Sequence, residues 1–119
     1  PVHKHDVENE HETALEEIYY FDMKPIDGAT DAARPMAYQG ASSADDRPLD
    51  IMTEVHPGDT VLIPYGWHGP SIAVPGYDLY YLNVMGGAGE RDWRVTIRED
   101  QVWVNEALKD VPRNPRLPM

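Results

Sequence analysis

Cysteine is absent from the 119 residues. No disulfide can staple the fold and no thiolate can hold a metal, so any metal site must be built from His, Asp, Glu and water. Phenylalanine occurs once, against seven Tyr and three Trp. Tyrosine combines an apolar body with a polar tip, which suits a barrel wall that also lines a polar pocket. No apolar run reaches the length that crosses a bilayer, and no secretory leader pattern is visible, so the sequence reads as cytoplasmic. Basic residues are scarce: ten Lys and Arg face 21 Asp and Glu, for a net charge of −11. That balance argues against nucleic acid, whose phosphates need cationic neutralisation, and against anionic membrane surfaces. It also means that an anionic substrate would need a local cation in its pocket.

What is present is enough for one core. A hydrophobic fraction of 41% in a chain of this length implies a single packed domain, here taken as residues 1–119. Residues 6–14 are polar and acidic without periodicity and read as a loop. Strands are expected at Leu15–Met23, Pro35–Gln39, Ile51–Val55, Thr60–Pro64, Ser71–Val74, Tyr77–Met85 and Trp93–Ile97. Turn residues separate them: Pro25 with Asp27 and Gly28, His56-Pro-Gly-Asp, Pro75-Gly76, and Gly86, Gly87 and Gly89. Val104–Asp110 has the character of a short helix within a tail, residues 99–119, that is otherwise extended and holds prolines at 112, 115 and 118. Many short strands with Gly and Pro punctuation predict an all-β sandwich or barrel.

Two motifs carry chemistry. His3-Lys4-His5 places two imidazoles two residues apart, on one side of a strand. Far along the chain comes Gly58, then Asp-Thr-Val-Leu-Ile, then Pro64-Tyr-Gly66-Trp-His68. There Pro64 and Gly66 bend the chain so that His68 can turn inward. Together these resemble the paired motifs of the cupin superfamily, although one residue stands between Gly66 and His68 where the superfamily usually has two. The resemblance narrows with Leu-Glu-Glu-Ile-Tyr-Tyr at 15–20, Gly-Tyr-Asp-Leu-Tyr-Tyr-Leu-Asn-Val-Met at 76–85, and Trp93-Arg94 followed by an acidic stretch and Trp103-Val104. These look like the 5-deoxy-glucuronate isomerase family of myo-inositol breakdown.

The resemblance implies a cupin jelly-roll barrel with one divalent metal (Zn, Mn, Fe, Ni or Co) held by His3, His5, His68 and a glutamate. Three glutamates compete for the fourth position. The usual cupin spacing selects Glu10. Glu17 leads the strand that normally follows the ligand, Glu16 is its neighbour, and Glu17 is preferred because a strand holds a ligand rigidly. The implied reaction is an aldose–ketose isomerisation of a sugar acid without an organic cofactor. Candidates for the proton-transferring group are the glutamate not on the metal, Asp78, Tyr80 and Tyr81. Alternation puts Tyr81 and Asn83 on one face of their strand and Asp78 and Tyr80 on the other. Arg34, Arg47, Arg91 and Arg94 are candidates for the substrate carboxylate. The same metal shell also suits a dioxygenase, and a cupin of this kind can be a non-catalytic sugar-binding module. Family members are about twice this length with two cupin halves, so the chain is expected to be the C-terminal half, a single cupin domain that lacks the N-terminal strands before the first metal His. It is then completed by the missing N-terminal half or by a second copy.

Overall fold

The computed structural model describes residues 1–26 and 34–112. Its spine is a ten-residue pairing. The run Glu-Glu-Ile-Tyr-Tyr-Phe, rich in β-branched and aromatic residues, forms strand β2 (Glu16–Pro25), and Tyr77–Gly86 lies antiparallel beside it over its whole length. In chain order the strands are β1 (His3–Lys4), β2, β3 (Ala37–Ser42), β4 (Asp50–Val55), β5 (Thr60–Ile63), β6 (Trp67–Ala73), β7 (Tyr77–Gly86) and β8 (Thr96–Ile97). A 3-10 turn (Glu99–Gln101) and helix α1 (Val102–Leu108) follow. The strands form two sheets, ordered β4-β3-β6-β1-β8 and β5-β2-β7, with every pairing antiparallel. The two packed antiparallel sheets are the expected all-β jelly roll.

Burial follows the pleat. On β2 the residues Glu17, Tyr19, Phe21 and Met23 are buried, while Glu16, Tyr20, Asp22 and Lys24 are exposed. Phe21 and Met23 pack with Tyr19, Ala37, Ala41, Val55 and Ile63 into the hydrophobic core, which meets the polar residues where Ile63 pairs with Glu17 and Ala41 with His68. The polar part of the same interior holds His5, Glu17, Gln39 and His68, all buried. One barrel therefore has an apolar half that supplies stability and a polar half that has to be explained by function.

Several boundaries differ from the sequence expectation. The strand expected at Ser71–Val74 begins earlier, at Trp67, because Gly69-Pro70 lies within the strand and does not end it. The strand expected at Trp93–Ile97 pairs only at Thr96–Ile97. The strand expected at Pro35–Gln39 runs from Ala37 to Ser42. The helix is shifted by two residues, to Val102–Leu108. The turn at 27–28 and the tail at 113–119 lie outside the described residues.

Candidate metal centre

Four side chains meet inside the polar half. One ligand atom from each of His3, His5, Glu17 and His68 lies within 4.8 Å of all the others. Strand pairing explains the meeting. His3 on β1 is the direct cross-strand partner of His68 on β6, so their rings stack edge-on at 4.4 Å between centroids. His5 follows two residues later on the same side, 4.7 Å from the His68 ring. Glu17 enters from the opposite sheet, with its Oε2 3.3 Å from His5 Nε2 and 3.1 Å from His68 Nε2. Of the glutamates weighed from sequence, only Glu17 is at this point. Glu16 is exposed on the other face of β2, and Glu10 pairs with His11 in solvent.

The hydrogen bonds around the rings decide what this cluster can hold. His3 Nδ1 donates to the Pro1 carbonyl at 2.9 Å, His5 Nδ1 to the Leu15 carbonyl at 2.7 Å, and His68 Nδ1 to the Gly66 carbonyl at 2.9 Å. A carbonyl oxygen only accepts, so each Nδ1 carries a hydrogen and each Nε2 is the nitrogen turned to the centre, where it donates to Glu17 when the ring is charged and offers a lone pair when the ring is neutral. His68 Nε2 is fully buried and has no hydrogen-bond partner, despite its 3.1 Å approach to Glu17. Buried lone pairs facing a carboxylate are unfavourable unless something positive lies between them. The donor set, three imidazoles and a carboxylate with their far nitrogens fixed by backbone, fits a divalent metal ion.

The neighbouring groups keep the carboxylate ionised. Burial opposes ionisation of Glu17, but the surrounding His5 and His68 imidazoles and the Asn83 amide outweigh it and hold the carboxyl well below the usual range. Asn83 Nδ2 donates to Glu17 Oε1 and fixes the carboxylate plane. His5 is pulled in two directions: burial disfavours its charged form, but Glu17 and the Leu15 carbonyl raise its pKa above the ordinary value. His3 is lowered, chiefly by burial and by the neighbouring His68. Tyr19, beside the cluster, is pushed up by burial and by the Glu17 charge, so its phenol stays protonated.

Two supports hold the motifs in place. The first is Asp6, whose carboxylate accepts the Gly66 N–H at 2.9 and 3.0 Å and ties the end of the His-x-His segment to the turn that launches β6. That turn requires glycine. Gly66 has φ +92°, and a Cβ there would sit 2.6 Å from the Ser42 carbonyl oxygen. Gly66→Ala is therefore expected to cost about 1–3 kcal/mol, at the upper end because backbone must move. Urea unfolding checks this, and an unchanged midpoint would refute it. The second support is Glu12, which is 2% exposed. It accepts from Lys4 Nζ at 2.8 and 2.9 Å, from the Asp6 N–H at 2.6 Å, from the Val7 N–H at 3.1 Å and from the Thr96 hydroxyl. Burial alone would raise its pKa, but Lys4, Thr96 and the Asp6 N–H reverse this and lower it. The sequence reading of 6–14 as a plain polar loop missed this residue, since an acidic loop gives no sign of which carboxylate turns inward.

The centre opens on a cavity of about 990 Å³ whose wall includes His3, Glu17, Tyr19, Tyr81 and Asn83. Tyr81 and Asn83 face it together. Asp78 and Tyr80 occupy the opposite face of β7 and do not reach it, and Tyr80 is 58% exposed. The arginines do not reach it either. Arg34 and Arg91 are exposed, and Arg94 is engaged by Glu90, Asp92 and Glu8. Arg47 stacks over Tyr65 at 4.2 Å, pairs with Asp45 and lines a second hollow, which reaches His5 and Glu17 of the centre from another side.

A small antiparallel barrel with three His and one Glu converging inside it defines a cupin. The chain belongs to the KduI/IolB family, whose model matches residues 1–104. It is similar to proteins named 5-deoxy-glucuronate isomerase. It is 43% identical to that of Geobacillus thermodenitrificans over 108 residues, covering 90% of this chain and 36% of the relative. Its identity is 38% to that of Bacillus licheniformis and 39% to one from Listeria monocytogenes, each over 108 residues, 89% of this chain and 36% of the relative. The chain thus spans about a third of the length of these relatives. No solved structure gives a significant match. Among the described residues no helix is long and apolar enough to cross a membrane.

Proposed function

We propose that this chain is a single cupin domain carrying the metal centre of a cytoplasmic aldose–ketose isomerase that acts on 5-deoxy-glucuronate in myo-inositol catabolism. The observation that carries the reading is the convergence of His3, His5, Glu17 and His68 with every Nδ1 fixed on a backbone carbonyl. The names of the similar proteins supply the substrate. The remaining two thirds of their length corresponds, in this reading, to the other cupin half together with the N-terminal strands of this one.

A divalent ion held here, Zn, Mn, Fe, Ni or Co, would supply polarisation of the substrate carbonyl and stabilisation of developing negative charge. The chain's own residues do the rest. Isomerisation requires a proton to leave the carbon beside the carbonyl and one to arrive at its neighbour. Glu17 is committed to the centre and to Asn83, so it is not a free base. Tyr81 lines the cavity and replaces Asp78 and Tyr80 as the group suited to move the proton at its phenolic oxygen. Tyr19, held protonated, acts as a hydrogen-bond donor beside it, at 5.3 Å between ring centroids.

Elemental analysis of the purified chain is expected to give one divalent metal per chain, lost in His68→Ala. Unchanged metal content in that variant would overturn the assignment. For the reaction, the full-length protein with this domain should form a ketose from 5-deoxy-glucuronate without added nicotinamide or flavin. Absence of any ketose would reject the substrate.

A further inference from the structure

The cavity beside the centre poses a problem that its own wall helps to solve. A sugar acid brings a carboxylate, yet no Arg or Lys side chain lines this cavity among the described residues. Apart from its tyrosines, its titratable side chains are His3 and Glu17, both at the centre. The rest of the wall includes Trp93 from the segment after β7, Gln101 from the 3-10 turn, and Trp103 and Asn105 from α1. Gln101 ends the 3-10 turn and Asn105 lies four residues on, in α1, and both line the cavity. The two indoles are 65% and 63% exposed. Large aromatic surfaces left open to water beside a polar cluster mark a binding site for something partly apolar. Trp93 also stands edge-on to His3, with 6.5 Å between the rings, so this wall begins within one side chain of the centre.

We propose that Trp93 and Trp103 form an indole platform for the sugar backbone, and that the neutral amides of Gln101 and Asn105 receive its carboxylate in place of an arginine. The inference rests on the isomerase reading and says which groups select its substrate. The chemistry is complementary. A sugar presents C–H bonds on one side, which pack on the negative face of an indole. Its oxygens then point to the cavity's polar groups. Amide N–H groups bind a carboxylate without the deep charge of a guanidinium. Such a site holds a sugar acid weakly enough to release it, in a chain whose net charge of −11 repels anions until they are close. The carboxylate is also kept at the α1 wall, away from the metal ligands it would otherwise compete with.

The test is calorimetric binding to the zinc-loaded chain, with D-glucuronate, D-glucuronamide and D-glucose as probes. D-Glucuronate is expected to bind, and Trp103→Ala to weaken it about tenfold with metal content unchanged, while Trp103→Phe stays within about threefold because a ring remains. Gln101→Leu should weaken D-glucuronate and leave D-glucose unaffected, with D-glucuronamide behaving like D-glucose. Wild-type affinity in Trp103→Ala, or equal losses for all three sugars in Gln101→Leu, would overturn the proposal. So would a metal-loaded chain that binds no D-glucuronate, and in that case the metal centre would still stand. A chain that takes up no metal would remove the isomerase reading and this inference together.

Discussion

Glu12→Ala is expected to lower the stability of this domain by about 3–5 kcal/mol, the usual cost of removing one partner from a buried ion pair. In a domain of this size that corresponds to a fall in Tm of about 12–20 °C. The residue is remote from any substrate, so the effect would come entirely from the scaffold. Removing the carboxylate leaves Lys4 Nζ with no anion and strands the N–H groups of Asp6 and Val7. It also removes the side-chain bridge from Lys4 to the Thr96 hydroxyl, leaving only backbone pairing between β1 and β8. β1 is only two residues long, so this side chain supplies much of what fixes the His-x-His segment. The effect has a pH signature. Because the folded carboxyl titrates below its unfolded value, Glu12 stabilises fully above the ordinary carboxyl range and loses its contribution as pH falls through the folded value. The gap between wild type and variant should therefore narrow in acid. Thermal melts at neutral pH and near pH 3 check both parts, and a variant melting like wild type at neutral pH would show that Glu12 braces nothing.

Glu17→Gln should lower metal affinity by more than about 100-fold, since loss of an outer partner alone commonly costs 10–100-fold. The substitution keeps shape and removes charge, so the barrel should persist. The readout is linkage. A metal present at about a thousand times its Kd adds about 4 kcal/mol to wild-type stability, and at the same concentration a 100-fold weaker variant gains about 1.4 kcal/mol. Melting both proteins with and without zinc measures the difference directly. An equal zinc-induced rise in the two would mean that Glu17 is not a ligand.

In the grouping of His3, His5, Glu17 and His68, strand periodicity gave only the shared side of the first two; His68 and Glu17 joined them through the resemblance to the cupin motifs. A His two positions from another must share its face, and a glutamate leading an aromatic strand must face in or out with Tyr19 and Phe21. The face of β7 was not legible. Tyr80 and Tyr81 are equally aromatic, and only the pairing of Tyr81 with Phe21, and of Asn83 with Tyr19, sets which one meets the cavity. Glu12 was illegible for a related reason: its partners Lys4 and Thr96 are brought to it by the tertiary fold. Gly69-Pro70 misled because residues that usually end a strand here sit inside one. None of the candidate arginines lines the cavity beside His3: Arg94 is held by acidic neighbours, and Arg47 lines the second hollow with His5 and Glu17.

The two halves of β2 carry different kinds of information. At its far end Phe21 and Met23 alternate with Asp22 and Lys24, and a slip of one residue would bury two charges. At its near end Glu17 and Tyr19 alternate with Ile18 and Tyr20, and the same slip would bury Ile18 at almost no hydrophobic cost. The near half cannot choose its own register; it inherits the choice made by the far half. Position 17 therefore behaves as an address written elsewhere. The solvent-facing charges of Asp22 and Lys24, which touch neither metal nor sugar, exclude the frame in which an isoleucine would stand where the carboxylate belongs.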